Sequence, residues 1–448
     1  MWAVRSSYPI RSHAPSRAGA AVADILVGAD VPPTPSDIAT WAIVLAAVAC
    51  IVAQPFRLPE AVWAVAGAVL LLAGGLLPWQ AALQAVAGGL DVYLFLIGMM
   101  LLSEVARREG VFDWLAGHAV DRAAGSPRRL FALVYAIGVV VTTFMSNDAT
   151  AVVLTPAVIA ATRAARVDPL PHLFACAMVA NAASFVLPIS NPANLVMHGA
   201  AMPPLGEWLA RFALPSIASI GVTFAVLRWT QARRLGGACA ARSEPSLLSP
   251  SGRTALAGIG VAAAGLLIAS ALDTPLGLPT FALGVLTVAA VVALRRAALM
   301  PVLAGVSWSV VPLVGGLFVL VAGVAQGGGT AWLADALRRG LEVSADQTAA
   351  VAGVVVAFAS NLVNNLPAGL IASTAVAEAQ APARVVDALL IGVDLGPNLS
   401  VTGSLATILW LTALRREGLD VGFWQFLKVG ALVMPPALLA ALAARLLF

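Results

Sequence analysis

Long apolar stretches separated by short polar connections make up most of this 448-residue chain. An α-helix needs about 20 apolar residues to cross a bilayer. Some of the stretches reach that length, and others fall short of it. The stretches are 38–53, 60–77, 90–106, 129–145, 149–162, 170–188, 207–228, 254–272, 279–294, 309–326, 347–360, 366–379, 384–412 and 423–447. This pattern predicts an all-α protein that crosses a membrane many times.

Two pairs of neighbouring short stretches are split by polar residues. The triplet at 146–148 interrupts 129–162, and the segment 360–365 interrupts 347–379. Backbone polar groups inside a bilayer must be paired or line a protected cavity. Each split stretch therefore predicts a re-entrant hairpin of two half-helices with a polar tip.

Two longer stretches contain breaks rich in proline and asparagine. The sequence SNPAN at 190–194 lies within 170–201, and DLGPN at 394–398 lies within 384–414. Proline removes a backbone donor and frees a carbonyl upstream. We expect an interrupted, or discontinuous, transmembrane helix at each break, with new half-helices starting near 193 and 399. Paired hairpins and interrupted helices are typical of a substrate site at the bilayer midplane.

A weak internal repeat divides the chain. A shift of 218 residues places Gly98 on Gly316 and Asn147 on Asn365. Two inverted repeats are then expected, because inversion opens the two hairpins from opposite faces. The predicted parts are a disordered N-terminal tail at 1–36, a first transmembrane repeat at 37–229, a cytoplasmic loop at 230–253 and a second repeat at 254–448.

Composition excludes a soluble protein. The chain is 60% hydrophobic and 11% charged, its mean hydropathy is +0.93, and a soluble domain carries about 25% charged residues. The net charge of +4 comes from arginines at the ends of apolar stretches, which indicates membrane flanks rather than affinity for nucleic acid. By the positive-inside rule, both the loop at 230–253 and the N-terminus face the cytoplasm. We expect a multi-pass protein of the cell (inner) membrane.

Polar residues at the tips and breaks are the candidate substrate ligands. Their amide and hydroxyl groups suit a neutral polyhydroxyl solute or a partly dehydrated cation. The alternative is hydrogen bonding between helices, which contributes about 0.6 kcal/mol per bond in membranes. The predicted substrate-binding residues are Ser146, Asn147, Asp148, Ser190, Asn191, Asn194, Asn364, Asn365, Asn398, Ser400 and Thr402.

Two carboxylates lie at these interruptions, Asp148 and Asp394. An ionised carboxylate at the bilayer centre costs at least about 2.5–3.5 kcal/mol, so it must be paired, neutral, bound to a cation or in contact with water. Both are therefore candidate proton-coupling residues. Asp148 could also cap the following half-helix, and Asp394 could instead be a structural partner of its loop.

Metal and cofactor chemistry have no support in the sequence. Cys50, Cys176 and Cys239 have no CxxC spacing, which argues against a zinc site and against a disulfide framework. The four histidines form no ligand cluster. We expect no cofactor, no metal and no enzymatic activity.

The motifs resemble those of the arsenite/antimonite efflux permeases, within the wider ion transporter superfamily. The resemblance covers most of 38–448. It rests on SND at 146–148 with LTP at 154–156, SN at 190–191 with NLV at 194–196, NNLP at 364–367, DLGP at 394–397 and GSLATILW at 403–410.

This resemblance implies inverted repeats and proton-driven export of As(III) or Sb(III), which as neutral hydroxides would suit the amide and hydroxyl groups. Such permeases can also work with a soluble arsenite-stimulated ATPase. No P-loop occurs in this chain, which fits a permease subunit. Asn398 stands where well-known arsenite members have a lysine, which changes the charge balance around Asp394.

Other functions fit the same pattern. A transporter of this fold could exchange Na⁺ for H⁺ or take up carboxylates with Na⁺, although a dicarboxylate carrier would be expected to show Ser-Asn-Thr at both tips. An intramembrane aspartyl protease would use Asp148 and Asp394 as two carboxylates that share a proton. The Gly-x-Gly-Asp string typical of such proteases is absent.

Overall fold

The computed structural model describes residues 34–199, 202–237, 247–296 and 298–447. Within these ranges the chain forms helices, turns and loops, without a β-strand. The prediction of an all-α protein is confirmed. Most of the expected disordered tail lies outside the described residues, and so does 238–246 of the expected loop.

The first half contains ten helices among its described residues, numbered in chain order. They are α1 (Pro35–Ala53), α2 (Glu60–Ala73), α3 (Trp79–Gly88), α4 (Leu90–Arg108), α5 (Val111–Ala123), α6 (Pro127–Phe144), α7 (Asn147–Ala149, a π-helical turn at Thr150–Leu154, and Thr155–Ala164), α8 (Pro169–Ala182), α9 (Pro192–His198) and α10 (Leu205–Thr230). Thr34 starts α1 as a capping box, in which Asp37 N donates to Thr34 Oγ1 at 3.2 Å and Thr34 N donates to the Asp37 carboxylate at 2.9 Å.

The second half repeats this order. Its helices are α11 (Pro250–Ala271), α12 (Gly277–Arg295), α13 (Met300–Gly305), α14 (Val310–Gln326), α15 (Gly329–Val343), α16 (Ala345–Val363), α17 (Asn365–Ala379), α18 (Ala383–Leu395), α19 (Leu405–Arg416) and α20 (Phe423–Leu447).

Many of these helices have the length and composition of membrane spans. Seven of the described helices qualify singly, or up to nine spans if the bent pairs α3/α4 and α14/α15 each count as one. Their outward side chains are apolar, as at Leu45, Ile217 and Leu286, which are all more than half exposed. The chain is therefore a multi-pass membrane protein.

Helix packing in the first half recurs in the second half. α1 packs on α2 as α11 packs on α12, and α4 packs on α12 as α14 packs on α2. Small residues let these helices approach closely. A Cβ added at Gly98 would lie 2.4 Å from the carbonyl oxygen of Thr280, and one at Gly316 would lie 2.8 Å from the carbonyl carbon of Ala64. The two glycines that the 218-residue shift superimposes therefore have the same packing role.

The last helices of the two halves, α10 and α20, pack together in opposite directions. Arg211 near the start of α10 and Arg445 near the end of α20 both contact the buried carboxylate of Asp387, at 3.5 Å and 2.7 Å. An inverted repeat requires such opposed final helices. The inverted topology in the membrane stays a prediction.

Among the described residues, Thr34 and the first residues of the loop, 230–237, lie at opposite ends of the helix bundle, and the side of the membrane that each of them faces stays a prediction. Gly252, near the start of α11, packs against Glu109 at the end of α4, and α13, which leads into α14, packs on α4. Thr40 in α1 packs beside Gly323, near the other end of α14. A re-entrant hairpin returns to the end of the bundle at which it started, whereas an interrupted helix passes from one end to the other once. The chain therefore passes along the bundle an odd number of times between Thr34 and the start of the loop.

Both expected hairpins are present, with longer arms than half-helices. Thr142 Oγ1 in α6 and Thr150 Oγ1 in α7 lie 2.8 Å apart, so the arms are antiparallel on either side of the tip. α6 has 18 residues, and α16 and α17 have 19 and 15. The arms are long because the apolar stretch continues to the polar tip without a proline inside either first arm.

Candidate functional site

The first hairpin tip is a capped helix start. Ala149 N donates to Ser146 Oγ at 3.2 Å, and Asp148 N donates to Asn147 Oδ1 at 2.9 Å. Ser146 and Asn147 are buried, and Asp148 is half-buried. The cap is therefore Ser146, and the interpretation of Asp148 as the cap is wrong. Among the described residues, the Asp148 carboxylate has no hydrogen bond or ion pair.

The first helix break is joined to this hairpin. Ser190 Oγ donates to the carbonyl oxygen of Thr143 at 3.1 Å, one turn before the tip. The helix resumes at Pro192, close to the expected position, because Asn191 caps it: Ala193 N donates to Asn191 Oδ1 at 3.0 Å.

Asn194 satisfies the carbonyl groups that the break leaves open. Its Nδ2 lies 2.9 Å from the carbonyl oxygen of residue 184 and 3.3 Å from those of residues 187 and 188. Because the Asn194 Nδ2 group already donates to backbone carbonyl oxygens, only Asn194 Oδ1 remains to contact a solute.

The second tip contacts the second break through a backbone hydrogen bond. Asn364 has φ of 71°, a conformation that non-glycine residues seldom adopt, and its Oδ1 accepts from Leu366 N at 3.4 Å. The next residue, Asn365, donates from its backbone N to the carbonyl oxygen of Gly403 at 2.9 Å. Its side chain is buried and makes no hydrogen bond within the described part of the chain.

Asn361, which was not among the predicted ligands, organises the second break. Its Nδ2 donates to the carbonyl oxygen of Gly396 at 2.9 Å, and its Oδ1 accepts from Ser400 N at 3.0 Å and from Ser400 Oγ at 2.8 Å. Thr402 Oγ1 donates to the Asn361 carbonyl at 2.8 Å. The two predicted ligands Ser400 and Thr402 are thus held against α16. The half-helix α19 starts at Leu405 rather than near 399, because this loop continues to residue 404.

The two breaks meet in the middle of the molecule. Asn191 Nδ2 donates to Asp394 Oδ1 at 2.8 Å, and Asn181 Nδ2 donates to Asn398 Oδ1 at 3.0 Å. Asn398 Nδ2 also donates to the carbonyl oxygen of Met178 at 3.0 Å. Asn181 was missed by the sequence reasoning, although a single amide inside an apolar stretch was a signal.

Several polar atoms around these contacts are buried without a partner in the described residues. They are Asp394 Oδ2, Asn181 Oδ1, Asn194 Oδ1 and Thr143 Oγ1. Asp394 is fully buried and has one donor, Asn191. A buried ionised carboxylate with a single donor is costly, so Asp394 is best accommodated as the protonated acid or beside a bound cation.

Basic residues are absent from the segments that form the tips and breaks. The segments 130–162, 173–197, 347–383 and 385–414 contain no Lys, Arg or His. Across the described residues, no group of three or more His, Cys, Asp or Glu side chains could hold a metal ion. The site combines neutral amides and hydroxyls with two carboxylates.

Comparison with known families and proteins gives consistent matches. The family model described as "Citrate transporter" matches residues 43–394. The "Arsenical pump membrane protein" of Escherichia coli is 27% identical over 428 residues, which are 90% of this chain and 98% of that protein. The protein of the same name from Yersinia enterocolitica is 28% identical over 374 residues, with coverage of 78% and 85%. The similarity confirms the resemblance to arsenical permeases.

A solved structure shares the fold. The YdaH transporter of Alcanivorax borkumensis, whose topology is described as unusual, superimposes with a TM-score of 0.56 and 16% sequence identity. The superposition covers 82% of this chain and 89% of that one. The family and these relatives are transporters, in agreement with the expectation that the chain is not an enzyme.

Proposed function

We propose that this membrane transporter, which belongs to the citrate transporter family, exports As(III) and Sb(III) as neutral hydroxides in exchange for protons. Similarity to arsenical pump membrane proteins over 90% of the chain supports the choice of solute. The site itself supplies the physical argument, because its charge and hydrogen-bonding groups limit what it can bind.

The absence of basic residues from the tips and breaks carries the proposal. An anion with two or three charges would need cationic partners to replace its lost hydration. Arsenous acid is uncharged at neutral pH, and its hydroxyls can both donate and accept hydrogen bonds. Amide groups of Asn147 and Asn365, one at each tip, would bind such hydroxyls.

Asp148 is the first candidate for proton exchange, because its half-buried carboxylate has no partner among the described residues. It sits in the first turn of α7, where the positive helix end favours a negative charge. Asp394 is the second candidate, because one of its oxygens is buried without a donor. A transport cycle would then protonate one carboxylate from the outer side and release the proton inside.

Carboxylate uptake with Na⁺ is the alternative, and the description of the family model favours it. Bound Na⁺ would supply the positive charge that the site lacks, and the unpaired oxygens of Asp394 and Asn194 are suitable Na⁺ ligands. Partnership with a soluble ATPase stays a prediction from the resemblance.

Everted membrane vesicles separate these functions. We expect uptake of As(III) into vesicles with an acidic lumen, loss of uptake when an ionophore removes the pH gradient, and no dependence on ATP. Uptake of citrate or succinate that requires Na⁺, without uptake of As(III), would instead establish the alternative.

Replacing the free carboxylate tests the coupling role. Asp148→Asn keeps the size and the helix start but cannot release a proton, so we expect at least about a hundredfold loss of gradient-driven As(III) uptake at equal membrane abundance. Asp420→Asn, at a carboxylate that is 80% exposed, is the matched control and should transport normally. Normal uptake by Asp148→Asn would remove Asp148 from the mechanism.

A further inference from the structure

A cationic groove lies between the first arm of the first hairpin and the last helix of the first half, away from the tips and breaks. Its volume is about 460 Å³. Arg128 in the first turn of α6 and Arg228 in the last turn of α10 line it, together with Phe224, Trp229 and Leu235. The geometry points to a binding site for the phosphate headgroup of an anionic phospholipid.

Neither guanidinium group in the groove has an ion pair among the described residues. Two other arginines at this end of the bundle are paired, Arg163 with Glu417 at 2.7 Å and Arg234 with Asp168 at 3.1 Å. The first turn of α6 contains no acidic residue, and its positive helix end adds to the local potential. The groove is thus left with two arginines free to bind an external anion, and Arg binds phosphate with a planar fork of donors.

The groove lies at the depth of lipid headgroups. Trp229 is 71% exposed at the end of the long apolar helix α10, and exposed tryptophans mark membrane interfaces. This end of the bundle carries the loop at 230–253 and a concentration of arginines, so the positive-inside rule places it in the cytoplasm. Basic pockets between spans on that side suit anionic lipids, which are enriched in the cytoplasmic leaflet.

The apolar part of the groove is rigid. Phe224 packs against Phe131 and Tyr135, with ring centroids 5.8 Å and 5.1 Å apart. Tyr135 also donates its hydroxyl to the carbonyl oxygen of Ile220 at 2.8 Å, which ties α6 to α10. This wall gives an acyl chain a surface beside the headgroup, which a soluble phosphate compound would not use. The lipid would therefore bridge the hairpin and α10.

Lipid retention by the purified full-length chain tests the site. Native mass spectrometry of protein exchanged into mixtures of phosphatidylglycerol and phosphatidylcholine should show preferential retention of the anionic lipid. Removing the charges in Arg128→Gln and Arg228→Gln should weaken retention about fivefold each, with the largest loss in the double variant. Arg416→Gln, an exposed arginine in α19 outside the groove, is the matched control and should retain lipid normally.

Two further measurements keep the assignment falsifiable if the double variant is poorly folded. In wild-type protein, phosphatidylglycerol should raise the melting temperature, and glycerol phosphate at the same concentration should not. Arg228→Lys keeps the charge but loses the fork, so its retention should be intermediate. Equal retention of the two lipids, an equal shift with glycerol phosphate, or unchanged retention in both single variants would overturn the proposal.

Discussion

Single asparagine side chains join the parts of the candidate site. Asn191 and Asn181 connect the two breaks, Asn194 binds the open carbonyls of the first break, and Asn361 holds the loop of the second. Buried amides of this kind are costly unless they are paired. The sequence predicted which positions would be polar. It could not separate residues that hold the loops from those left free for a solute, because the difference depends on loop conformation, as at Asn194, or on partners more than 30 positions away, as at Asn191 and Asn361.

Asn361 should therefore matter more for stability than for binding. Asn361→Ala leaves the buried Ser400 amide without its acceptor, at about 1–3 kcal/mol, and removes the Asn361 bonds to the Ser400 hydroxyl and the Gly396 carbonyl, which keep Thr402 and Leu399 as partners. We expect a lower melting temperature in detergent for this variant. The neighbour Leu362 is 75% exposed, so Leu362→Ala is the matched control and should melt near wild type. Equal melting of the two variants would contradict the role of Asn361.

At the scale of helices, the two crossings α4/α12 and α2/α14 depend on glycine. The repeat in the sequence placed Gly98 on Gly316, and both residues lie where another backbone comes close. Glycines of equal spacing occur by chance in such an apolar chain, so the pattern alone did not reveal the contact. The helix start at Pro192 was predicted well, because the capping residue Asn191 lies within the proline-containing break. The start of α19 was predicted poorly, because another helix, α16, holds the preceding loop.

A methyl group at the crossing tests this packing. Gly98→Ala would place a carbon 2.4 Å from the Thr280 carbonyl oxygen, so the helices must separate. Overpacking of this kind costs about 1–3 kcal/mol, and we expect a lower yield of folded protein and a lower melting temperature. Gly260, inside α11, has no atom within 4 Å of such a carbon. Gly260→Ala should be neutral or slightly stabilising; a comparable loss in both variants would argue against the crossing.

At the scale of the whole molecule, the number of crossings decides which ends share a face. Arginines near the N-terminus and in the loop at 230–253 suggested one common face, because the positive-inside rule considers each segment separately. In the described residues, Thr34 and the start of the loop at 230–237 lie at opposite ends of the bundle. A hairpin mistaken for two spans changes the number of crossings by two and leaves the predicted side unchanged, whereas one span missed or added reverses it.

Cysteine labelling from each side of the membrane tests this topology. In a background where Cys50, Cys176 and Cys239 are alanine, Ser36→Cys should react with an impermeant maleimide in intact cells. Gly236→Cys should react in everted vesicles and not in intact cells. Labelling of both positions from the same side would contradict the arrangement of α1 through α10.

Hydropathy and the polar interruptions were sufficient to predict an all-α membrane protein with two hairpins and two broken helices. These features follow from local energetics, since each helix must be apolar where it meets lipid and each break must contain groups that pair its backbone. The contacts Asn191–Asp394 and Asn181–Asn398, the capping of α7 by Ser146 and the free carboxylate of Asp148 required the three-dimensional arrangement. They join residues from distant parts of the chain or depend on loop conformation, and packing alone brings such groups together.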